Sequence, residues 1–411
     1  MRKTLLPLLV TSLLDFPISL QAYELHEWGT FTTVSGSNGE LLTGLQREEE
    51  HLPQYVQHHP RFGNHQPILA GQLNLPANPL FGKRIPIPAV NVTVKMETPV
   101  IYFHSEKGFH ANVHVGFHGG TISQWYPSRS SGEVIDFSNR ENQALDFSKP
   151  YTGSIHWEVD VLSREESNHA IRFKPDDLIQ WTRARIPEAN IVRSHDGSEE
   201  GFLFYRGLGS FDPGLRTTIQ TDETLTLQNQ TGSTIPFFLI YEKLADGTTH
   251  WLEHDGLPAG QSLVITESEL PVFPSQEFDE TLYRRLTHRL TDQGLLRSEA
   301  EAMVQTWWRS YFSTPGLRVF WVLPDGLTNS ILPLEVDPTP KSTVRVLVGR
   351  SEILRPRQEQ AWLEMASSSD PAVVAQWNAL VFSDRFGLAY NQRVELMKLQ
   401  TSHVLDSTID D

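Results

Sequence analysis

His26, Glu27 and Trp28 stand together in YELHEWGTFTTVSG. An imidazole there offers a metal ligand, and the neighbouring carboxylate offers a general base. The competing expectation is a first strand whose polar side chains pair with neighbours and whose Trp28 fills core. Glu97 in KMETPVIYFH lies between two strand-like runs, beside Pro99. Its carboxylate suits a general acid, a ligand, or a turn residue that caps backbone N–H groups. His104 follows Tyr102 by two residues and so shares its strand face. Arg206 interrupts the aromatic run FLFYRGLG. Its guanidinium either grips a substrate carboxylate in a bidentate pair or is neutralised by an internal acid such as Glu242. Trp125–Tyr126 and Trp307–Trp308 present flat faces that either stack on sugar rings or fill core. The candidate catalytic residues are therefore His26, Glu27 and Glu97. The candidate ligand-binding residues are Arg206, His104 and Trp125.

A second group of imidazoles, His110, His114 and His118, recurs every four residues in FHANVHVGFHGG. Alternation places all three on one strand face with Asn112 and Gly116, and Phe109, Ala111, Val113, Val115 and Phe117 on the other. Residues four apart in a strand are about 13 Å apart. Two nitrogens on one zinc ion are only ~3–3.5 Å apart. The stripe is therefore a solvated or hydrogen-bonded face, and at most one of its members joins ligands from another strand. His58, His59 and His65, with His51 before them, sit in a Pro- and Asn-rich stretch where imidazoles bind metal adventitiously or simply face solvent.

The usual signatures are missing: no G-x-S-x-G elbow, H-E-x-x-H helix, Walker loop, EF-hand loop or G-x-G-x-x-G is present. With no cysteine in the chain, thiol catalysis, disulfides and Cys-ligated metals are excluded. A divalent metal such as zinc would have to be held by histidine, carboxylate or carbonyl oxygen.

These residues need elements to hold them. Residues 23–200 read as a β-rich domain containing one long Pro/Asn-rich loop, from His58 to Pro88. Residues 201–270 read as short strands, with Asp246-Gly247 marking a hairpin, and suggest a β-sandwich. In residues 271–411, Leu282, Tyr283, Leu286 and Leu290 have helical spacing, and Gly294 stops that helix. Ser298 and Glu301 fit a capping box for a second helix with Met303, Val304, Trp307, Trp308 and Tyr311 on its apolar face. LRVFWVLP and VRVLVG fit buried strands, and the tail from Arg357 to about Leu399 fits two or three helices. The fold class expected is α+β: mostly antiparallel β-sandwich regions, then a helical hairpin and a helical C-terminal tail.

Residues 1–22 combine a basic start, Arg2-Lys3, with a short apolar run, Leu5–Leu14, and a small residue, Ala22. That is the pattern of a secretory signal peptide, and a cysteine-free exported chain fits the bacterial periplasm or exterior. Apolar residues make up 39% of the 411 and charged residues 20%, which is globular composition. The net charge of −16 argues against nucleic acid as partner, and no apolar run is long enough for a membrane span.

Several stretches, LHEWGTFTTVSG, LTGLQREEEHLP, KMETPVIYFHS, GGTISQWYP, FLFYRGLG and PGLRVFWVLP, together resemble a family of secreted bacterial proteins that begin with HEWGTFT after the signal peptide. The resemblance spans most of the mature chain. It implies export and carries no mechanism. Two functional expectations stand. One is a secreted hydrolase that acts on a polymer or glycan with a His/carboxylate site. The other is a non-catalytic periplasmic module that binds a small molecule or takes part in assembly.

Overall fold

The computed structural model describes residues 23–48, 52–53, 55–59, 89–135, 145–169, 180–276 and 278–407, with side chains to 401. The segment expected to be a signal peptide, His51, His65 and nearly all of the long loop lie outside the described residues. The fold is α+β and mostly strand, with predominantly antiparallel sheets.

The N-terminal strands are β1 (Glu24–Ser35), β2 (Val94–Met96), β3 (Val100–His104), β4 (Phe109–His118), β5 (Gly120–Tyr126) and β6 (Thr152–Val161). β7 (Leu203–Gly209), β8 (Phe238–Lys243) and β9 (Thr249–His254) follow. Next come helices α1 (Glu280–Asp292) and α2 (Arg297–Trp307), then strands β10 (Gly316–Val322), β11 (Leu334–Asp337) and β12 (Ser342–Ile353). Helices α3 (Pro356–Ala366), α4 (Pro371–Ser383) and α5 (Gly387–Ser407) end the chain.

A central sheet of eleven strands runs 272–273, β9, β8, β10, β12, β1, β2, β7, β5, 57–58, with β3 bridging β1 and β7. β1 lies in its middle and is parallel to β12 over its full length, from Glu24 opposite Ser342 to Ser35 opposite Ile353. Its other neighbours, β2 and β3, are antiparallel to it. Strands from all three expected segments thus share one sheet.

One face of this sheet packs on further strands. A six-stranded sheet (199–200, 192–194, β6, β4, β11, with 131–132 on β6) and a three-stranded sheet (215–219, 225–229, 262–265) close a core of Phe31, Ile101, Val113, Trp157, Leu227 and Trp321. Two sets of helices cover the other face. α1 and α2 enclose Trp28, Tyr102, Phe204, Leu286, Met303 and Trp307. The α3–α5 set encloses Val34, Leu208, Trp362, Trp377 and Phe386. β1 is therefore buried on both sides, and the period-2 division of its residues separates two cores instead of core from solvent.

β4 has the division read from its sequence. Ala111, Val113, Val115 and Phe117 are buried, while His110, His114 and His118 are exposed. His110 Nδ1 lies 3.0 Å from Asp160 Oδ1, and His118 Nδ1 lies 2.8 Å from the Ser330 carbonyl. Asp246-Gly247 forms the turn between β8 and β9, with Gly247 at φ +89° and Asp246 Oδ1 accepting from Thr248 N. The cap of α2 differs from the Ser298/Glu301 expectation. Leu296 is the N-cap, and Glu299 returns its carboxylate to Leu296 N at 2.7 Å. The capping glutamate sits two residues before the one chosen from the sequence, because the chain turns into the helix two residues earlier, at Arg297.

Candidate functional site

The first strand splits HEW between the two faces of the sheet. His26 and Trp28 face α1 and α2, while Glu27 faces the sheet-on-sheet core. β3 runs antiparallel to β1, with His26 opposite Tyr102 and Glu24 opposite His104, so His104 joins His26 on the helix side. Their rings lie 4.8 Å apart, edge to face. The first turn of α2 lowers Glu299 onto both: Oε2 is 2.8 Å from His26 Nδ1, and Oε1 is 2.9 Å from His104 Nε2. The Glu299 side chain is fully buried, and His104 keeps 12% of its side chain exposed. Burial raises the pKa of the Glu299 carboxyl, but the hydrogen bonds and charges of the two imidazoles outweigh it, and the net shift is downward. Among the described residues, these three form the one group of histidines and acids close enough to share an ion.

Glu27 belongs to a different environment. Tyr205 donates its hydroxyl proton to Oε1 at 2.7 Å, and Arg345 donates from Nε to Oε2 at 2.6 Å. Arg345 in turn donates from Nη1 to Asn329 at 2.7 Å. This chain of bonds ends at a cleft of about 650 Å³ between β11 and the first residues of β1 and β12. Leu25, Leu334 and Val336 give the cleft apolar wall, and Asp325, Asn329, Glu335, Lys341 and Arg345 bring charge of both signs.

Glu97 and Arg206 meet in a third place, a charged band crossing the helix side of the sheet between the two helical sets. Arg206 donates from Nε to the Glu97 carbonyl at 2.5 Å and pairs with Glu48 at 3.2 Å. The expected acid, Glu242, is taken by Arg355 instead. Lys95 also pairs with Glu48, at 2.7 Å, and Arg318 with Glu352, at 2.5 Å. Arg385, from the loop between α4 and α5, pairs with the Glu97 carboxylate. Burial pushes the Glu97 carboxyl up, but the charges of Arg385, Lys95, Arg206 and Arg350 overcome that and bring it down to about 2.

Trp125 is buried, with Arg129 stacked 4.0 Å above its ring and its N–H donated to Gln57. That ring offers no free face to a sugar. Trp307 is buried as well. The candidates named from the sequence therefore occupy four separate environments, and only His26 with His104, and Glu97 with Arg206, come together. Glu299 was missed because its sequence context reads as helix capping. The cleft was missed because 334–345 reads only as strands and turns. Lys95 carried one usable signal, a charge inside an otherwise apolar strand.

No family model matches the chain, and no curated relative matches it. Among solved structures, the chain is similar at low level to the yeast delta-COP-I mu-homology domain. In complex with a Dsl1 WxWxV peptide, that domain gives a TM-score of 0.27 and 6% identity, covering 81% of this chain and 98% of the other. Without the peptide, the TM-score is 0.28 at the same identity and coverage. Likeness at this level carries neither fold nor partner across.

Proposed function

We propose that the protein is an exported, non-catalytic binding module that holds a short extended peptide in the cleft beside β11. The observation that carries this reading is a strand edge lying open along a cleft of about 650 Å³. β11 is the last strand of its sheet, paired only with β4 among the described strands. Gly116 N donates to the Pro333 carbonyl, so hydrogen-bonded pairing falls at 333, 335 and 337. The backbone groups of Leu334 and Val336 then point away from β4, along the cleft. An added strand satisfies such groups, and the charges beside them select its side chains or termini. Lys341 attracts a carboxylate, and Asp325 and Glu335 attract an ammonium.

The catalytic alternative loses support from the same geometry. Glu27 is neutralised in the core between the sheets, and Glu97 and Arg206 are neutralised in the charged band on the helix side, so the three assemble no common acid–base centre. Export rests on the Arg2–Ala22 pattern, and N-terminal sequencing of protein from the native host checks it: a chain starting near Tyr23 is expected. The cleft is tested with an array of short peptides on the purified mature chain. Binding is expected to weaken at least tenfold with Lys341→Glu, and to be lost when proline replaces alternate peptide residues. No peptide bound, or binding indifferent to both changes, refutes the reading.

A further inference from the structure

The His26–Glu299–His104 group lies on the other face of β1 from the cleft, and its geometry raises a separate question. His104 Nδ1 lies 3.2 Å from the Glu188 carbonyl. A carbonyl only accepts, so Nδ1 carries a proton. In a neutral imidazole, Nε2 is then bare, yet it lies 2.9 Å from Glu299 Oε1, a second acceptor. Two acceptors at that distance need a cation between them. It is either a proton, held by His104 or by Glu299, or a metal ion.

Three features favour the metal. The first is convergence: the ligand atoms of His26, His104 and Glu299 all lie within 4.8 Å of one another, although they come from β1, β3 and α2. The second is the N–H to carbonyl bond on the far side of the His104 ring. Such a bond fixes the tautomer of a metal-bound histidine and points its lone pair at the ion. The third is an opening. The site is closed on the protein side by Glu299, while His104 keeps 12% of its side chain exposed and has Glu24 as its direct cross-strand neighbour. Three protein ligands with one solvent-side position is a common zinc arrangement, and imidazole with carboxylate suits zinc in a chain without thiols. Bonds of about 2.0–2.1 Å around a tetrahedral ion separate ligand atoms by ~3.3 Å, so each imidazole needs to withdraw from Glu299 by about half an ångström, and the widest pair, up to 4.8 Å apart, needs to close by about 1.5 Å.

We propose that His26 Nδ1, His104 Nε2 and the Glu299 carboxylate bind one divalent transition-metal ion, zinc by donor type, with water in the fourth position beside Glu24. The ion ties α2 to the first strand of the mature chain. This goes beyond the peptide cleft, and neither depends on the other.

The test is calorimetric titration of EDTA-stripped protein with zinc sulfate at neutral pH. One site per chain is expected. Glu299→Gln and His104→Ala are each expected to weaken it by roughly 100-fold or more. Glu299→Gln keeps an oxygen able to accept from Leu296 N. It therefore separates loss of the ion from loss of the helix cap, and circular dichroism in EDTA verifies that it folds. Replacing His110, His114 and His118 together with alanine is expected to leave the tight site intact, which separates it from zinc caught by exposed imidazoles. The proposal is overturned by zinc binding weaker than ~10 µM, or by a tight site that survives Glu299→Gln. If His104→Ala does not fold, Glu299→Gln and His26→Asn decide on their own.

Discussion

Trp307 has its indole N–H donated to Thr30 Oγ1 at 2.8 Å, and its ring stacks with Tyr311 and Phe320 at 5.8 and 6.1 Å between centroids. It is 2% exposed. Removing the ring leaves a cavity beside β1 and strips Thr30 of its partner. Trp307→Ala is expected to cost about 3–5 kcal/mol, read from urea unfolding. An unchanged midpoint would show that the ring packs against nothing essential. His26 and Glu27 make the complementary point. Two adjacent polar residues are tolerated in a strand buried on both faces because each has partners of its own, Glu299 for one, Tyr205 and Arg345 for the other. Buried polar groups without such partners would oppose folding.

At the scale of elements, the parallel pairing of β1 with β12 depends on side chains of the right size above and below it. Gly349 in β12 lies opposite Trp321 in β10, and a Cβ at 349 would come 2.4 Å from that ring. The backbone there does not require glycine for its conformation; the indole requires the space. Gly349→Ala is expected to destabilise by about 1–3 kcal/mol, seen as a lower thermal midpoint. A neutral result would mean that Trp321 moves freely in the core between the sheets. The helices follow local rules more closely. Asp279 caps α1 by accepting from Thr281 N and Leu282 N, both at 3.0 Å, and prolines open α3 and α4.

Across the whole molecule, the charged band joins the two helical sets to the sheet they share. Arg385 reaches Glu97 from the C-terminal helices, and Arg350, from β12, lies 4.1 Å above the Tyr311 ring that follows α2. The Glu97 carboxyl falls from an ordinary value of 4.5 to about 2 in the folded protein. A lowered pKa stabilises the fold above the unfolded value, and that contribution disappears as pH falls through the folded one. Wild type is expected to exceed Glu97→Gln by on the order of 3 kcal/mol at pH 7, with the difference shrinking between about pH 5 and pH 2. Unfolding free energies across that range check it. A difference independent of pH would show that Glu97 acts by shape and not by charge.

The amino-acid sequence by itself determined the local elements: the polar and apolar faces of β4, the Asp246-Gly247 hairpin, α1 with its stop at Gly294, the buried strands β10 and β12, and the helical tail. Periodicity and turn chemistry act over a few residues, so they are visible along the chain. Which chemical groups meet was decided by tertiary structure. Glu299 lies 273 residues from His26, and Arg345 lies 318 from Glu27. Pairing at such separation depends on strand order, and no local preference encodes it. The choice of face for each residue of HEW had the same origin. In a strand exposed on one side, alternation separates core from solvent. In β1, solvent lies on neither side, so the neighbours in space alone set His26 apart from Glu27.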